Sequence, residues 1–183
     1  RVQFVCNNIE RALNSEEKNL GIRLDPEQRN AVLTALQSPI SVITGGPGTG
    51  KTSIQKAILD IYRSQCPGNQ VVCCAPTGRA ARRMEQSTGF PASTVHKALG
   101  LFAGEDGMFG EPEPLEADLV LVDEVSMLDI YLAKHILQGI PNRCQVVFIG
   151  DSDQLPSVGP GAVLSEIIKS GVIPIVRLDK LLR

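Results

Sequence analysis

The chain has 183 residues, 43% hydrophobic and 21% charged, with a net charge of −2. That is one domain's worth of core-forming sequence, which excludes a disordered chain, and no apolar run approaches the ~20 residues that cross a bilayer. A near-zero charge gives no bulk attraction to nucleic acid, so any such contact must come from a local patch.

In chain order, Val2, Val5, Ile9 and Leu13 repeat with a helical period, which predicts a helix over 2–14. Residues 1–23 are expected to form an N-terminal helical linker. The chain opens on Arg1 rather than Met, as expected of a piece of something longer, and no signal-peptide core is visible. A second helix is expected at "DPEQRNAVLTAL", with Asp25 as its cap and Pro26 at its first position. Five short apolar runs follow, "ISVIT" (40–44), "VVCCA" (71–75), "LVLVD" (119–123), "VVFIG" (146–150) and "IPIVRL" (173–178). Helical segments alternate with them at about 51–63, 77–87, 129–138 and 161–170. Near-continuously apolar strands alternating with helices predict a doubly wound α/β domain around a mainly parallel sheet. Residues 100–117 interrupt the rhythm with four Gly and two Pro, and read as a short hairpin or small insertion. The cysteines, Cys6, Cys66, Cys73, Cys74 and Cys144, have no C-x-x-C spacing. They read as buried thiols of a reducing cytoplasm, with no structural zinc.

The stretch "GGPGTGKT" (45–52) matches G-x-x-x-x-G-K-[ST] between a strand and a helix. Its glycines let backbone N–H groups curl around phosphates, the helix N-terminus favours the anion, and Lys51 reaches the β/γ-phosphates. Gly46, Pro47, Gly48, Thr49, Gly50, Lys51, Thr52 and Ser53 are the expected nucleotide cradle, with the Thr52 hydroxyl on Mg²⁺. A carboxylate is then needed at another strand tip. Asp123 supplies it as a metal ligand, and Glu124 beside it can deprotonate the attacking water. No N-K-x-D stretch reads guanine, so ATP is the expected nucleotide, and the Gln28 amide can pair with adenine's N6/N7 edge. A third polar strand tip, "VVFIGDSDQLPSVGPG" (146–161), places Asp151 and Gln154 ahead of a loop stiffened by Pro and Gly.

In this order the motifs resemble the RecD-like, 5′-to-3′ branch of superfamily 1 DNA helicases, from about Leu24 to Arg183. The stretches that carry the resemblance are "LDPEQRNAV", "GGPGTGKT", "APTGRAARRM", "ASTVHKAL", "VDEVSM", "GDSDQLPSVGPGAVL" and "RLDKLLR". The resemblance implies a first RecA-like motor domain over 24–183 that binds ATP, Mg²⁺ and single-stranded DNA. It implies Gln28 on adenine, Lys51, Thr52 and Asp123 on phosphate and Mg²⁺, Glu124 as catalytic base and Gln154 as γ-phosphate sensor. Pro76, Thr77, Gly78 and Arg79 would form a first DNA contact, and Thr94, Val95 and His96 a second. Arg183 would point at the γ-phosphate from the start of a second motor lobe of the same polypeptide. Segment 100–117 would be a small version of the domain that carries the strand-separating pin.

The residues read by themselves agree. "TGRAARRM" opens a helix after a strand, so N–H groups at Thr77–Arg79 can take a phosphate. Arg79, Arg82 and Arg83 are the clear basic cluster, and aromatic platforms are scarce, with no Trp and two Tyr, so phosphate contacts should dominate. A helicase working as a monomer is expected, the alternative being a non-translocating P-loop ATPase that acts as a switch or AAA-like remodeller. A module that binds DNA without turnover sits badly with an intact Lys51, Asp123 and Glu124. One lobe alone should bind adenine nucleotide weakly, hydrolyse it very slowly and not unwind DNA.

Overall fold

The computed structural model describes residues 8–102, 110–155 and 157–181. Helix α1 spans Ile9–Leu20 and α2 Pro26–Gln37, followed by β1 (Ile40–Gly45), α3 (Lys51–Gln65), β2 (Val71–Ala75) and α4 (Gly78–Thr88). Then come β3 (Ala92–Thr94), α5 (Val95–Ala98), β4 (Leu119–Val122), a 3-10 turn (Val125–Met127) and α6 (Ile130–Gly139). The last elements are β5 (Gln145–Gly150), α7 (Val163–Ser170) and β6 (Ile175–Leu178). The six strands form one sheet in the order β3-β2-β4-β5-β1-β6, and every neighbouring pair is parallel.

Side chains alternate along each strand, so each strand feeds two cores. Leu119 and Leu121 of β4 face one layer with Ile43, Val147, Ile58 and Met84. Val120 and Val122 face the other with Val42, Phe148, Val95, Ile136 and Leu164. The first layer is covered by α1, α2, α3 and α4, and the second by α5, α6 and α7.

Helix α1 shares Ile9 and Leu13 with the expected period but runs on to Leu20. Its polar second half keeps helical propensity without apolar spacing, and it stops only at Gly21, which takes a left-handed φ of 63°. Val2 and Val5 lie outside the described residues. Ile9 and Leu13 are buried in the main core, so the described part of segment 1–23 packs as part of the domain. Helix α2 starts in a capping box: Asp25 accepts the Gln28 N–H, and Gln28 Oε1 accepts the Asp25 N–H.

Elements β3 and α5 were not legible as such. Strand β3 has three half-buried residues and α5 only four, too few for any period to show. The expected hairpin over 100–117 is not seen in its described ends, which carry no strand. Instead, Glu113 donates its N–H to the Leu99 carbonyl and Leu115 to that of Gly139, both at 2.8 Å. Each end is thus tied separately to the domain, with Leu101 and Leu115 buried. The tip, 103–109, lies outside the described residues.

Candidate nucleotide and nucleic-acid site

Because the strands are parallel, the loops after β1, β2, β3, β4 and β5 emerge on one edge of the sheet, the edge where open α/β sheets bind ligands. The described residues expected in a site from 45 onward leave the sheet there.

The loop after β1 turns through two glycines in the left-handed region, Gly48 at φ 79° and Gly50 at φ 85°. Gly50 starts α3 without a side-chain cap, so the first N–H groups of the helix are left for an anion. Thr49 is buried, and its hydroxyl donates to the Gly46 carbonyl at 2.8 Å. Lys51 Nζ folds back on the carbonyls of Gly45 and Gly46, the latter at 2.9 Å, so it must swing outward to meet phosphate. Pro47, Gly48 and Thr52 are exposed and Ser53 is half-buried.

A Cβ on Gly45 would meet Thr49 Oγ1 at 2.7 Å and, in β6, the Cβ and carbonyl oxygen of Leu178 at 2.8 and 2.9 Å. Neither buried wall can retreat. Gly45→Ala is therefore expected to cost about 1–3 kcal/mol of stability, read as a lower urea midpoint at unchanged slope; an unchanged midpoint would show that the loop can open there.

Gln28 is buried, with its amide already engaged: Oε1 in the capping box and Nε2 donating to the Thr49 carbonyl at 3.0 Å. It ties the start of α2 to the phosphate loop, and an amide retains a second N–H and a second lone pair for a base. Glu27, beside it, accepts the N–H groups of Asp179 and Lys180 at 3.0 and 3.4 Å, which carries the chain after β6 past the loop. Arg183 lies outside the described residues.

At the β4 tip, the Asp123 N–H donates to the Cys74 carbonyl of β2, and Asp123 Oδ1 accepts the Glu124 N–H, both at 2.9 Å. Glu124 sits at φ 53°, a conformation few non-glycine residues adopt and one that clusters at functional sites. Burial pushes its carboxyl above the usual carboxylate range, with Asp123 and Asp151 adding to the rise while Lys51 and Arg83 oppose it.

Strand β5 lies between β4 and β1, so its tip enters the same cluster. Asp151 is buried, and its Oδ1 accepts the Asp153 N–H at 3.0 Å. The Ser152 N–H donates to Thr44 Oγ1 at 3.0 Å, fastening the β5 tip to β1. Gln154 is exposed, and its Oε1 accepts from the buried Ser126 hydroxyl at 3.4 Å, which links it to the turn after Glu124. Sequence reasoning missed Thr44 and Ser126. Their one local signal is a hydroxyl at or just beyond the end of an apolar run. Beyond Gln154, the Pro160 carbonyl accepts the Ile130 N–H at 2.9 Å, so the stiff loop packs on the start of α6.

The register pairs Ala75 with Thr94, which puts Pro76–Arg79 beside Thr94–His96. Thr77 caps α4 by accepting the Ala80 N–H, and Thr94 caps α5 by accepting the Lys97 N–H, both at 3.2 Å. Gly78 and Arg79 are exposed, while Pro76, Thr77, Thr94 and His96 are half-buried. Two capped helix starts therefore stand side by side, next to the β4 tip.

A family model described as an AAA domain matches residues 28–160. The chain is 40% identical over 158 residues to the ATP-dependent RecD2 DNA helicase of Deinococcus radiodurans, covering 86% of this chain and 21% of that protein. It is 36% identical to the RecBCD enzyme subunit RecD of Haemophilus influenzae, covering 76% of this chain and 26% of that one. The chain thus spans well under a third of these relatives' length. Among solved structures, the Pif1 helicase of Candida albicans superposes with a TM-score of 0.65 at 25% identity, over 88% of this chain and 41% of that one. Unliganded Pif1 from Bacteroides sp. gives a TM-score of 0.61 at 24% identity, over 88% and 42%. The chain belongs to the AAA domain family, and over most of its length it is similar to RecD-type proteins.

Proposed function

We propose that this domain is the nucleotide-binding lobe of an ATP-driven, 5′-to-3′ DNA helicase of RecD type, working in the cytoplasm as a monomer with a second motor lobe of the same polypeptide. The observation that carries the reading is the gathering, on one sheet edge, of the phosphate loop, Asp123 with Glu124, Gln154 and the two capped helix starts. A relative and a solved structure named as helicases favour it over a non-translocating switch.

In this reading the open N–H groups of α3 and the Lys51 ammonium bind the β- and γ-phosphates. Gln28 offers its remaining amide capacity to adenine. Thr52 and Asp123 present hard oxygen donors, the chemistry that suits Mg²⁺, and one Asp123 oxygen stays clear of the Glu124 N–H. Mg²⁺, when bound, offsets phosphate charge. Glu124, whose carboxyl burial makes more basic, takes the proton of the attacking water. DNA phosphates meet the N–H groups at Thr77–Arg79 and Thr94–His96, with Arg79 adding charge.

The test is ATP turnover by the complete protein with and without single-stranded DNA. Stimulation supports the reading, and turnover indifferent to DNA counts against it. Gln154 stands between the nucleotide and the DNA-side strand tips and is tethered to Ser126. Gln154→Ala is therefore expected to reduce DNA stimulation several-fold, about 1 kcal/mol of lost coupling, while DNA affinity falls less. Equal losses in the two assays would indicate a packing defect.

A further inference from the structure

Glu17, in the second half of α1, has a side chain only 13% exposed with both carboxylate oxygens engaged. Oε1 accepts the Leu24 N–H at 2.8 Å, and Oε2 pairs with the Arg29 guanidinium. Asn14, one turn earlier on α1, accepts from the same guanidinium at 2.9 Å. The main-chain carbonyl of Glu17 accepts the Ile22 N–H at 3.1 Å, so the link from α1 to α2 winds around this one residue. Leu24 and Arg29 flank the capping box of Asp25 and Gln28, and the carboxylate therefore grips the start of α2 on both sides of Gln28. Inside that frame the Gln28 amide has two fixed partners: the Asp25 N–H needs an acceptor and the Thr49 carbonyl needs a donor. Turning the amide over would set N–H against N–H and oxygen against oxygen, so it is held one way round. Its spare lone pair and spare N–H match adenine, which offers the N6 donor beside the N7 acceptor. They mismatch guanine, whose O6 and N7 are both acceptors.

We propose that Glu17 is a positioning residue for base recognition: from α1 it fixes the first turn of α2, and so the direction in which the Gln28 amide faces adenine. It acts through Gln28 and need not touch the nucleotide. Without the carboxylate, Leu24 and Arg29 lose their shared anchor, the first turn of α2 gains freedom, and the amide holds its two internal bonds less firmly. The proposal rests on the adenine role given to Gln28 above. It makes α1 part of the nucleotide site, where the sequence suggested a linker.

The experiment compares wild type, Glu17→Ala, Glu17→Gln, Gln28→Ala and the double variant Glu17→Ala with Gln28→Ala, all in the complete protein. Affinities for ATP and for GTP are measured by displacement of a fluorescent nucleotide, beside a thermal melt. Glu17→Ala is expected to weaken ATP binding about three- to tenfold, the scale of one net hydrogen bond, and to leave GTP binding nearly unchanged, so that the preference for ATP narrows. Ile9 and Leu13 keep α1 in the core of the variant. Glu17→Gln retains an oxygen for the Leu24 N–H and recovers part of the preference; should the alanine variant not fold, the glutamine variant shows the same change on a smaller scale. In the Gln28→Ala background Glu17→Ala should add little, because both act through one amide. If Glu17→Ala lowers the melting temperature and leaves the ratio of ATP to GTP affinity unchanged, Glu17 only fastens α1 to α2 and the proposal fails. It fails equally if the two single effects add in full. Wild type that binds ATP and GTP alike would overturn the adenine role of Gln28, and this proposal with it, a result that the wild-type titration alone tells apart from the other two.

Discussion

Lys51→Ala is expected to abolish ATP hydrolysis by the complete protein while leaving it folded. The ammonium is the one cation of the phosphate loop, at the start of α3. Preorganised charge at a transferring phosphoryl group is worth about 10²–10³ in rate or more. The structural loss is small, because Lys51 is half-buried and, among the described residues, its Nζ bonds the carbonyls of Gly45 and Gly46 alone. Phosphate release measured beside a thermal melt separates the two effects. Retained turnover would refute the assignment of this loop, and a collapsed melting temperature would mean that Lys51 holds the loop together.

Glu124→Gln is expected to keep nucleotide affinity near the wild-type value and to slow hydrolysis by roughly 10²-fold or more, the loss typical of a removed general base. The amide matches the carboxylate in shape and tolerates the same backbone, so the β4 tip should hold. What disappears is the basic oxygen, whose proton affinity is raised by burial and by Asp123. Single-turnover hydrolysis and a fluorescent-nucleotide titration give the two quantities. If binding falls in step with turnover, Glu124 is a metal ligand or a structural residue.

These two variants also mark how much of the site was legible. Lys51 and the pair Asp123–Glu124 could be read because each obeys a local rule: glycines at left-handed positions before a helix, and carboxylates closing an apolar run. The same locality made β1, β2, β4, β5 and α2 readable, since burial on both faces demands unbroken apolar residues. The start of α2 was readable from the Asp25–Pro26 pair.

Contacts between distant segments were a different matter. A doubly wound sheet of this type sets the β5 tip beside the Asp123 tip, as found; that β1 lies on the other side of β5, bringing Asp151 and Gln154 toward the phosphate loop, depends on sheet order, and a parallel crossover leaves no mark of its destination in the strand itself. The amide of Gln28 closing on the Thr49 carbonyl and Thr44 holding Ser152 join residues 21 and 108 positions apart. Neither partner's residue type announces the other. The sequence by itself determined the kinds of element and the phosphate-binding chemistry, because these follow from backbone sterics and burial period within a few residues. Only the tertiary structure decided that β1 flanks β5, and so that Lys51 and Asp151 come near the Glu124 carboxyl. Charges interact through space, and the distance between them is set by packing.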